Sequence, residues 1–148
     1  MDVEEKIKTV KNIPIKSRTV IHFMLVNNKI NEMISIALKP FDVSVQQFNV
    51  LRILRGQNGK PANLSTLNER MVTKMSNTTR LVDKLILKGY VSRITCPSNR
   101  RKVEINITDQ GKNDLKKMDA AMQEAENKIL KNLTIEELEE LNLLFDKF

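Results

Sequence analysis

The sequence predicts a mainly helical α+β fold, in which most of the chain is helical and one small β-hairpin interrupts the helices. Apolar residues recur at helical spacing through most of the 148 residues. The period changes from 3.6 to 2 at one place, where Val103, Ile105 and Ile107 alternate with polar residues. Aromatic residues make up only 4% of the sequence, so Leu, Ile, Val and Met must fill the core.

The first two predicted helices are separated by a proline. Apolar side chains repeat at helical spacing over Ser17–Lys39, and Pro40 ends this pattern. The next helix is predicted to begin after Ser44, because Ser44 and Gln47 have the spacing of a capping box. Its buried side is expected to contain four apolar residues: Phe48, Leu51, Ile53 and Leu54.

Two shorter helices are predicted in the middle of the chain. The first covers Thr66–Met71, with Thr66 or Ser65 as its cap, and a brief turn connects it to a second helix at Met75–Lys88. Gly89 can adopt the left-handed conformation that commonly follows a helix end. The inward side of the second helix is expected to contain Leu81, Val82, Leu85 and Ile86.

A hairpin and two helices complete the predicted fold. The strand at Val103–Ile107 is expected to pair with Tyr90–Ile94 across a loop at Thr95–Lys102. A long helix follows at Thr108–Leu130, and a capping box at Thr134 and Glu137 begins the last one. The long helix is expected to make contacts through Ala120, Ala121, Met122, Ala125 and Ile129. The last helix carries an apolar stripe: Leu138, Leu141, Leu144, Phe145 and Phe148.

Several classes of protein are disfavoured by what the sequence lacks. No apolar run approaches the roughly 18–20 residues that span a bilayer, the N-terminus lacks a secretory apolar stretch, and Cys96 has no second cysteine to pair with. We therefore expect a cytoplasmic protein without a membrane partner. The lone His22 has no Cys/His cluster beside it, and no Gly-rich phosphate loop is present. We expect no catalytic residues, no cofactor, no metal site and no enzymatic activity.

Positive charge is concentrated in the centre of the chain. The formal net charge is +7, and residues 60–102 contain ten Lys/Arg against two Asp/Glu, whereas residues 103–148 contain six against eleven. A localised basic region is typical of proteins that bind a polyanion. Charge alone leaves an ordinary solvated basic surface equally open.

The central helices have the lengths of a helix-turn-helix, whose second helix enters the major groove of double-stranded DNA. Asn can bond adenine and Arg can bond guanine, while hydroxyls can serve bases or phosphates. The residues expected to face bases are Ser76, Asn77, Thr79 and Arg80, with Lys84 placed for a phosphate. Contacts to the DNA backbone are expected from Ser65, Thr66 and Lys74. The hairpin tip suits a wing that inserts cations into the minor groove, through Asn99, Arg100, Arg101 and Lys102.

The stretch Leu64–Gly111 resembles the DNA-binding lobe of the MarR family of bacterial winged helix-turn-helix regulators. The matching motifs are Leu67–Met71, Thr79–Leu85, Lys88–Val91, Asn99–Arg101 and Ile107–Gly111. They cover roughly a third of the chain closely, and the flanking helices agree with the family in order and length. Asn99 departs from the pattern, because it stands where the family has an acidic residue that orients the wing arginines.

The resemblance implies one domain over residues 1–148, with a winged helix-turn-helix lobe at about 44–111 and a dimerisation lobe at about 1–40 and 112–148. It implies a homodimer in which the terminal helices interlock, and this assigns the apolar stripe at Leu138–Phe148 to the dimer interface. It also implies a repressor that binds a pseudo-palindromic operator and is released by a small ligand, such as an aromatic effector, or by an oxidant.

Three alternatives remain open from the residues, and one of them is non-specific, chromatin-like packing of DNA, which the ratio of specific to non-specific affinity would distinguish. The chain could be a helical adaptor that does not bind DNA, although uncharged outer side chains would then be expected at residues 66–88. It could instead be a redox-responsive regulator that uses Cys96. The sensing cysteine of the oxidant-responsive MarR branch lies near the N-terminus, so Cys96 does not inherit that role from the resemblance.

Overall fold

The computed structural model describes residues 2–73, 77–96 and 99–148, and the side chains of all these residues except 96 and 99–102. This part of the chain contains seven helices and two strands, which confirms the predicted mainly helical α+β class. In chain order they are α1 (Val3–Lys6), α2 (Ile15–Leu38), α3 (Val45–Gly56), α4 (Leu64–Arg70), α5 (Thr78–Leu87), β1 (Val91–Cys96), β2 (Asn99–Ile107), α6 (Asp109–Leu130) and α7 (Ile135–Phe145). A single 3-10 turn, Lys39–Phe41, follows α2 and contains the proline that was predicted to end it.

The chain divides into two compact units. Unit 1 comprises Met1–Ile36 and Ala125–Phe148, and unit 2 comprises Ala37–Glu124. Both boundaries fall inside long helices, α2 and α6. No helix in the described ranges is long and apolar enough to cross a membrane.

In unit 1, an ion pair connects the short helix α1 to α2. Arg18 donates to Glu4 through Nε to Oε1 at 2.8 Å and through Nη2 to Oε2 at 3.0 Å. The hydrogen bond from Arg18 is the main reason why the pKa of Glu4 falls from its ordinary 4.5 to about 2. Beside this pair, Val3 is fully buried. Sequence analysis did not predict α1, because four residues are too few to display a helical period.

The two capping boxes are present as predicted. The Ser44 N–H donates to Gln47 Oε1 at 2.9 Å, and the Gln47 N–H donates to Ser44 Oγ at 3.2 Å. The same reciprocal pair forms between Thr134 and Glu137 at the start of α7, at 2.8 and 3.2 Å. Both helices therefore begin where the sequence places them.

The buried side of α3 differs in part from the prediction. Phe48, Leu51 and Leu54 are buried as expected, but Ile53 is only partly buried and Val50 is fully buried instead. Val50, Leu51 and Leu54 have the i, i+1, i+4 spacing of one helix face, and Ile53 lies to the side of that face.

The prediction for α4 was wrong at its start. Neither Ser65 nor Thr66 is the cap, because the helix begins at Leu64 and Asn63 caps it by accepting from the Thr66 N–H at 2.8 Å. Asn63 has an extended backbone, which the cap position requires, while Ser65 and Thr66 are already helical.

Helix α5 is also shorter than predicted at its N-terminal end. Asn77 has φ −130° and ψ 34° and precedes the first helical residue, while the predicted start at Met75 lies outside the described residues. At the other end Gly89 has φ +73°, the left-handed conformation expected after a helix. Val82 and Leu85 are fully buried, whereas Leu81 and Ile86 are only partly buried.

The hairpin is longer than predicted. β1 and β2 pair in antiparallel register from Val91 opposite Ile107 to Thr95 opposite Val103, and Cys96 then lies opposite Asn99. The predicted loop at Thr95–Lys102 was therefore wrong for residues 95–96 and 99–102, which belong to the strands. A register shift between Thr95 and Cys96 allows the pairing to continue beyond the regular ladder.

Helix α6 begins one residue later than predicted, because Thr108 caps it. Thr108 Oγ1 accepts from the Gly111 N–H at 3.0 Å. Met122 and Ala125 are buried as expected, whereas Ala120, also predicted as a contact position, is exposed in the single chain. Two residues that the prediction omitted, Leu115 and Met118, are fully buried. Ala121 and Ile129 are partly buried.

Candidate nucleic-acid interface

Three helices and the hairpin form the core of unit 2. Helices α3, α4 and α5 contact one another, α5 also contacts β1, and α3 contacts β2. Leu67 on α4 and the pair Val82 and Leu85 on α5 are fully buried. The second helix of the predicted helix-turn-helix is therefore held against the core along one side.

A polar contact joins the two helices of the helix-turn-helix. Thr78 Oγ1, on the first turn of α5, donates to Asn68 Oδ1 on α4. Thr78 is only 4% exposed. Sequence analysis missed this residue, although a signal existed, because Thr78 precedes Val82 and Leu85 at i+4 and i+7 spacing.

The opposite side of α5 carries the predicted DNA-reading residues. Asn77, Thr79, Arg80 and Lys84 are all exposed, and we call these four the outer row of α5. Asn77 occupies the N-cap position but makes no side-chain capping hydrogen bond. Ser76, the fifth residue predicted for this surface, lies outside the described residues.

Other cations near α5 are paired with carboxylates. Arg93 Nη1 on β1 donates to Asp83 Oδ1 on α5 at 2.7 Å, and Lys88 Nζ donates to Asp42 Oδ2. The hydrogen bond from Lys88 is the main cause that lowers the pKa of Asp42, and Lys84 contributes a smaller coulombic effect. Arg80 and Lys84 form no ion pair with any side chain in the described ranges. Those two charges are thus the ones that α5 can offer to a polyanion.

The remaining predicted contact residues lie in three places. Ser65 is exposed on α4 and donates to Glu69 Oε1 at 2.9 Å, while the Thr66 hydroxyl donates to the capping Asn63 at 3.1 Å. Lys74 lies outside the described residues. The predicted wing residues lie in β2: Asn99, Arg100, Arg101 and Lys102. Their side chains are not among those that the structure describes.

The base of the wing is attached to the helix-turn-helix through its main chain. The Ile105 N–H donates to Ala62 O at 2.7 Å, and the Ala62 N–H donates to Ile105 O at 2.9 Å. Ala62 lies immediately before Asn63, the cap of α4, and both Ala62 and Ile105 are buried. β2 therefore has a defined position relative to the start of α4.

In unit 1, the predicted dimer-interface residues are exposed to different degrees. Leu138 and Leu141 are partly buried, whereas Leu144, Phe145 and Phe148 are exposed, the last at 95%. Phe23 on α2 contacts the rings of Phe145 and Phe148, with centroid distances of 5.9 and 5.8 Å.

Comparisons with known proteins agree with this arrangement. The family model of the MarR family matches residues 43–103, which include α3, α4, α5 and most of the wing. The multiple antibiotic resistance protein MarR of Escherichia coli is 28% identical over 125 residues, covering 83% of this chain and 85% of that protein. Residues 43–103 thus match the MarR family model, and the chain resembles MarR-family regulators over most of its length.

Solved MarR-family structures share the fold over nearly the whole chain. A putative MarR-like transcription regulator from Bacillus cereus has a TM-score of 0.78 at 25% identity, covering 90% of this chain and 98% of that one. A cysteine-to-serine mutant of E. coli MarR complexed with operator DNA has a TM-score of 0.75 at 27% identity, covering 99% and 98%. The MarR-family proteins that this chain resembles are transcription regulators rather than enzymes.

Proposed function

We propose that the chain is a homodimeric repressor that binds a pseudo-palindromic operator in double-stranded DNA. The observation that carries this proposal is the outer row of α5: four polar or cationic side chains are exposed on a helix and its N-cap, while the other side of the helix is buried. A recognition helix requires this division, because one side must pack on the domain while the other enters the major groove. The similarity to MarR in complex with operator DNA supports the same conclusion.

Each residue has a proposed role. Asn77 and Arg80 bond adenine and guanine edges, while Ser76 and Thr79 bond bases or phosphates. Lys84, one turn beyond Arg80, contacts a phosphate. The DNA backbone is also contacted by Ser65, Thr66 and Lys74, and the minor groove by Asn99, Arg100, Arg101 and Lys102.

Unit 1 is proposed as the dimerisation lobe and unit 2 as the winged helix-turn-helix lobe. Exposed apolar side chains in unit 1 support this assignment, because Ile15, Met24, Leu144 and Phe148 are 74%, 61%, 48% and 95% exposed in the single chain. Large apolar side chains left exposed on one unit are typical of a protein interface. A second copy of the chain would cover these side chains.

Repression would be steric. A dimer places two recognition helices about 34–36 Å apart, one DNA turn, and so covers the operator against polymerase. We propose release by a small aromatic effector, which needs only a difference in affinity of a few kcal/mol between two conformations. Fluorescence anisotropy of a labelled operator, titrated with phenolic ligands, tests this step; an anisotropy that stays constant at millimolar ligand would contradict it.

Selection of bound duplexes from a random pool tests the DNA-binding function and supplies the operator. Arg80→Ala should then weaken operator binding by about 1–3 kcal/mol for each half-site and relax specificity at one base pair in each half-site. Lys84→Ala is the matched variant, since it should weaken binding to all sequences alike and reduce the salt slope of the dimer by about two, one for each subunit. Failure to enrich any sequence, with equal affinity for all duplexes, would overturn the proposal.

The dimer is tested by sedimentation of the full chain. Phe148→Ser should raise the dimer dissociation constant, because it removes a ring that the single chain leaves 95% exposed. Lys147→Ser, one residue away, serves as the control and should leave the constant unchanged. A monomeric wild-type protein at micromolar concentration would refute the assignment of unit 1.

A further inference from the structure

The ion pair between Arg93 and Asp83 joins the two DNA-reading elements of unit 2. Arg93 lies on β1 and Asp83 on α5, and Arg93 Nη1 donates to Asp83 Oδ1 at 2.7 Å. Both side chains are partly exposed, at 38% and 47% of their surfaces. Neither residue was predicted as a site residue. The sequence analysis included Arg93 only among the ten Lys/Arg of the basic region at residues 60–102.

We propose that Arg93 is a positioning residue, which holds the wing at a set angle to the recognition helix through Asp83 and does not contact DNA phosphate. This inference rests on the proposed DNA-binding function and concerns how the wing and the recognition helix are held in a fixed orientation to each other.

The position of Asp83 supports the inference. Asp83 lies three residues after Arg80 and is adjacent in sequence to Lys84, two members of the outer row of α5. A carboxylate near a surface that binds a polyanion opposes binding unless a cation neutralises it. Arg93 neutralises it from the neighbouring element, so the acid is compatible with DNA binding only as part of this pair.

The main chain around Arg93 shows why one side chain can orient the wing. Arg93 lies opposite Ile105 in the ladder, and Ile105 is bonded on its other edge to Ala62 at 2.7 and 2.9 Å. The base of the hairpin is thus attached to the residue before the cap of α4. A hairpin attached along one edge can still tilt about that edge, and the Arg93–Asp83 pair adds a second attachment, on α5. The same tilt would move residues 99–102, which follow along the same two strands.

Removal of the carboxylate distinguishes positioning from phosphate contact, because the two roles predict opposite signs. If Arg93 contacts phosphate, Asp83→Asn removes a repulsive charge and frees the arginine, so operator binding becomes tighter. If the pair positions the wing, Asp83→Asn weakens binding although it removes a negative charge. Coupling energies between contacting residues correspond to about 3- to 10-fold in affinity for such a pair.

The experiment measures operator affinity and its salt dependence for the full-length dimer. We expect Asp83→Asn and Arg93→Gln each to weaken binding about 3- to 10-fold, and the double variant to be no weaker than either single variant. Arg93→Lys, which keeps the charge, should recover most of the affinity. The salt slope should stay that of the wild type, since no phosphate contact is lost. Tighter binding by Asp83→Asn, or a salt slope reduced by about two (one for each subunit) in Arg93→Gln, would overturn the inference.

Asp119→Asn is the matched control. It breaks the Arg55–Asp119 pair, which has similar exposure of 41% and 36% but joins α3 to α6. Operator affinity should not fall in this variant, and melting temperatures of all variants should stay close to the wild type because exposed ion pairs contribute little to stability. A fall in affinity equal to that of Arg93→Gln would show that general loss of surface pairs is responsible, and would overturn the inference.

Amide hydrogen exchange of the free protein separates failure of this inference from failure of the proposed function. If the wild type binds no DNA specifically, the proposed function is wrong, but the pair can still be judged. Faster exchange at the β1 and β2 amides in both Asp83→Asn and Arg93→Gln supports a positioning role. Unchanged exchange in both variants overturns it.

Discussion

Replacement of Gly111 by alanine should destabilise unit 2, because the added methyl group would collide with the main chain at the start of the wing. A Cβ built on Gly111 lies 2.2 Å from Tyr90 O and 2.9 Å from Ile107 Cγ1. The same Tyr90 carbonyl accepts the Thr108 N–H at 3.0 Å, just before α6 begins. The methyl group therefore cannot be accommodated by a side-chain rotation, and the helix or the wing must move.

The expected magnitude is a difference of opposing effects. Alanine is favoured over glycine inside a helix by roughly 0.5–1 kcal/mol. Overpacking against the core costs typically about 1–3 kcal/mol, and loss of the hydrogen bond to Tyr90 O costs about 1 kcal/mol more. The net expectation is a loss of about 1–3 kcal/mol in the free energy of unfolding, or roughly 3–10 °C in melting temperature.

Urea and thermal unfolding at one fixed protein concentration measure this change, since dimerisation makes stability depend on concentration. Gly56→Ala is the matched control: its Cβ would meet nothing within 4 Å, and Gly56 is the last residue of α3. That variant should be neutral or more stable by up to about 1 kcal/mol. If Gly111→Ala is as stable as Gly56→Ala, the close approach to Tyr90 is not a constraint and the reasoning is refuted.

Three further changes test other parts of the fold. Leu85→Ala should lower the free energy of unfolding by about 2–5 kcal/mol, because Leu85 is fully buried. Leu87→Ala, at a site that is 88% exposed, should change it by less than about 0.5 kcal/mol. Equal effects of the two substitutions would contradict the orientation of α5. Thr134→Ala should cost about 0.5–2 kcal/mol in urea unfolding through loss of the α7 cap, and an unchanged midpoint would show that the cap adds no stability. Arg18 lowers the pKa of Glu4 from 4.5 to about 2. The stability that this ion pair contributes is therefore fully present above pH 4.5 and is lost as the pH falls toward 2. Glu4→Gln should therefore melt below the wild type at pH 7 and together with it near pH 2, and a difference that persists at pH 2 would contradict the ion pair.

The sequence alone predicted most of the features that depend on neighbours within one helical turn, with the cap of α4 as the exception. The capping boxes at Ser44 and Thr134 and the left-handed Gly89 were read correctly, because the groups that bond lie three residues apart or because the backbone requires glycine. The single change of period also located the hairpin. Motif spacing then indicated a resemblance to the MarR family, and the comparisons confirmed that resemblance.

Tertiary structure alone decided which surfaces are buried and which charges are paired. Thr78, Val50 and Leu115 are buried and Ala120 is exposed because of helices that pack from distant parts of the sequence. The pairing of Lys88 with Asp42 spans 46 residues. The sequence shows that Lys88 and Arg93 are positively charged, but it does not show that carboxylates neutralise them. An ion pair forms only when folding brings opposite charges within a few ångströms of each other.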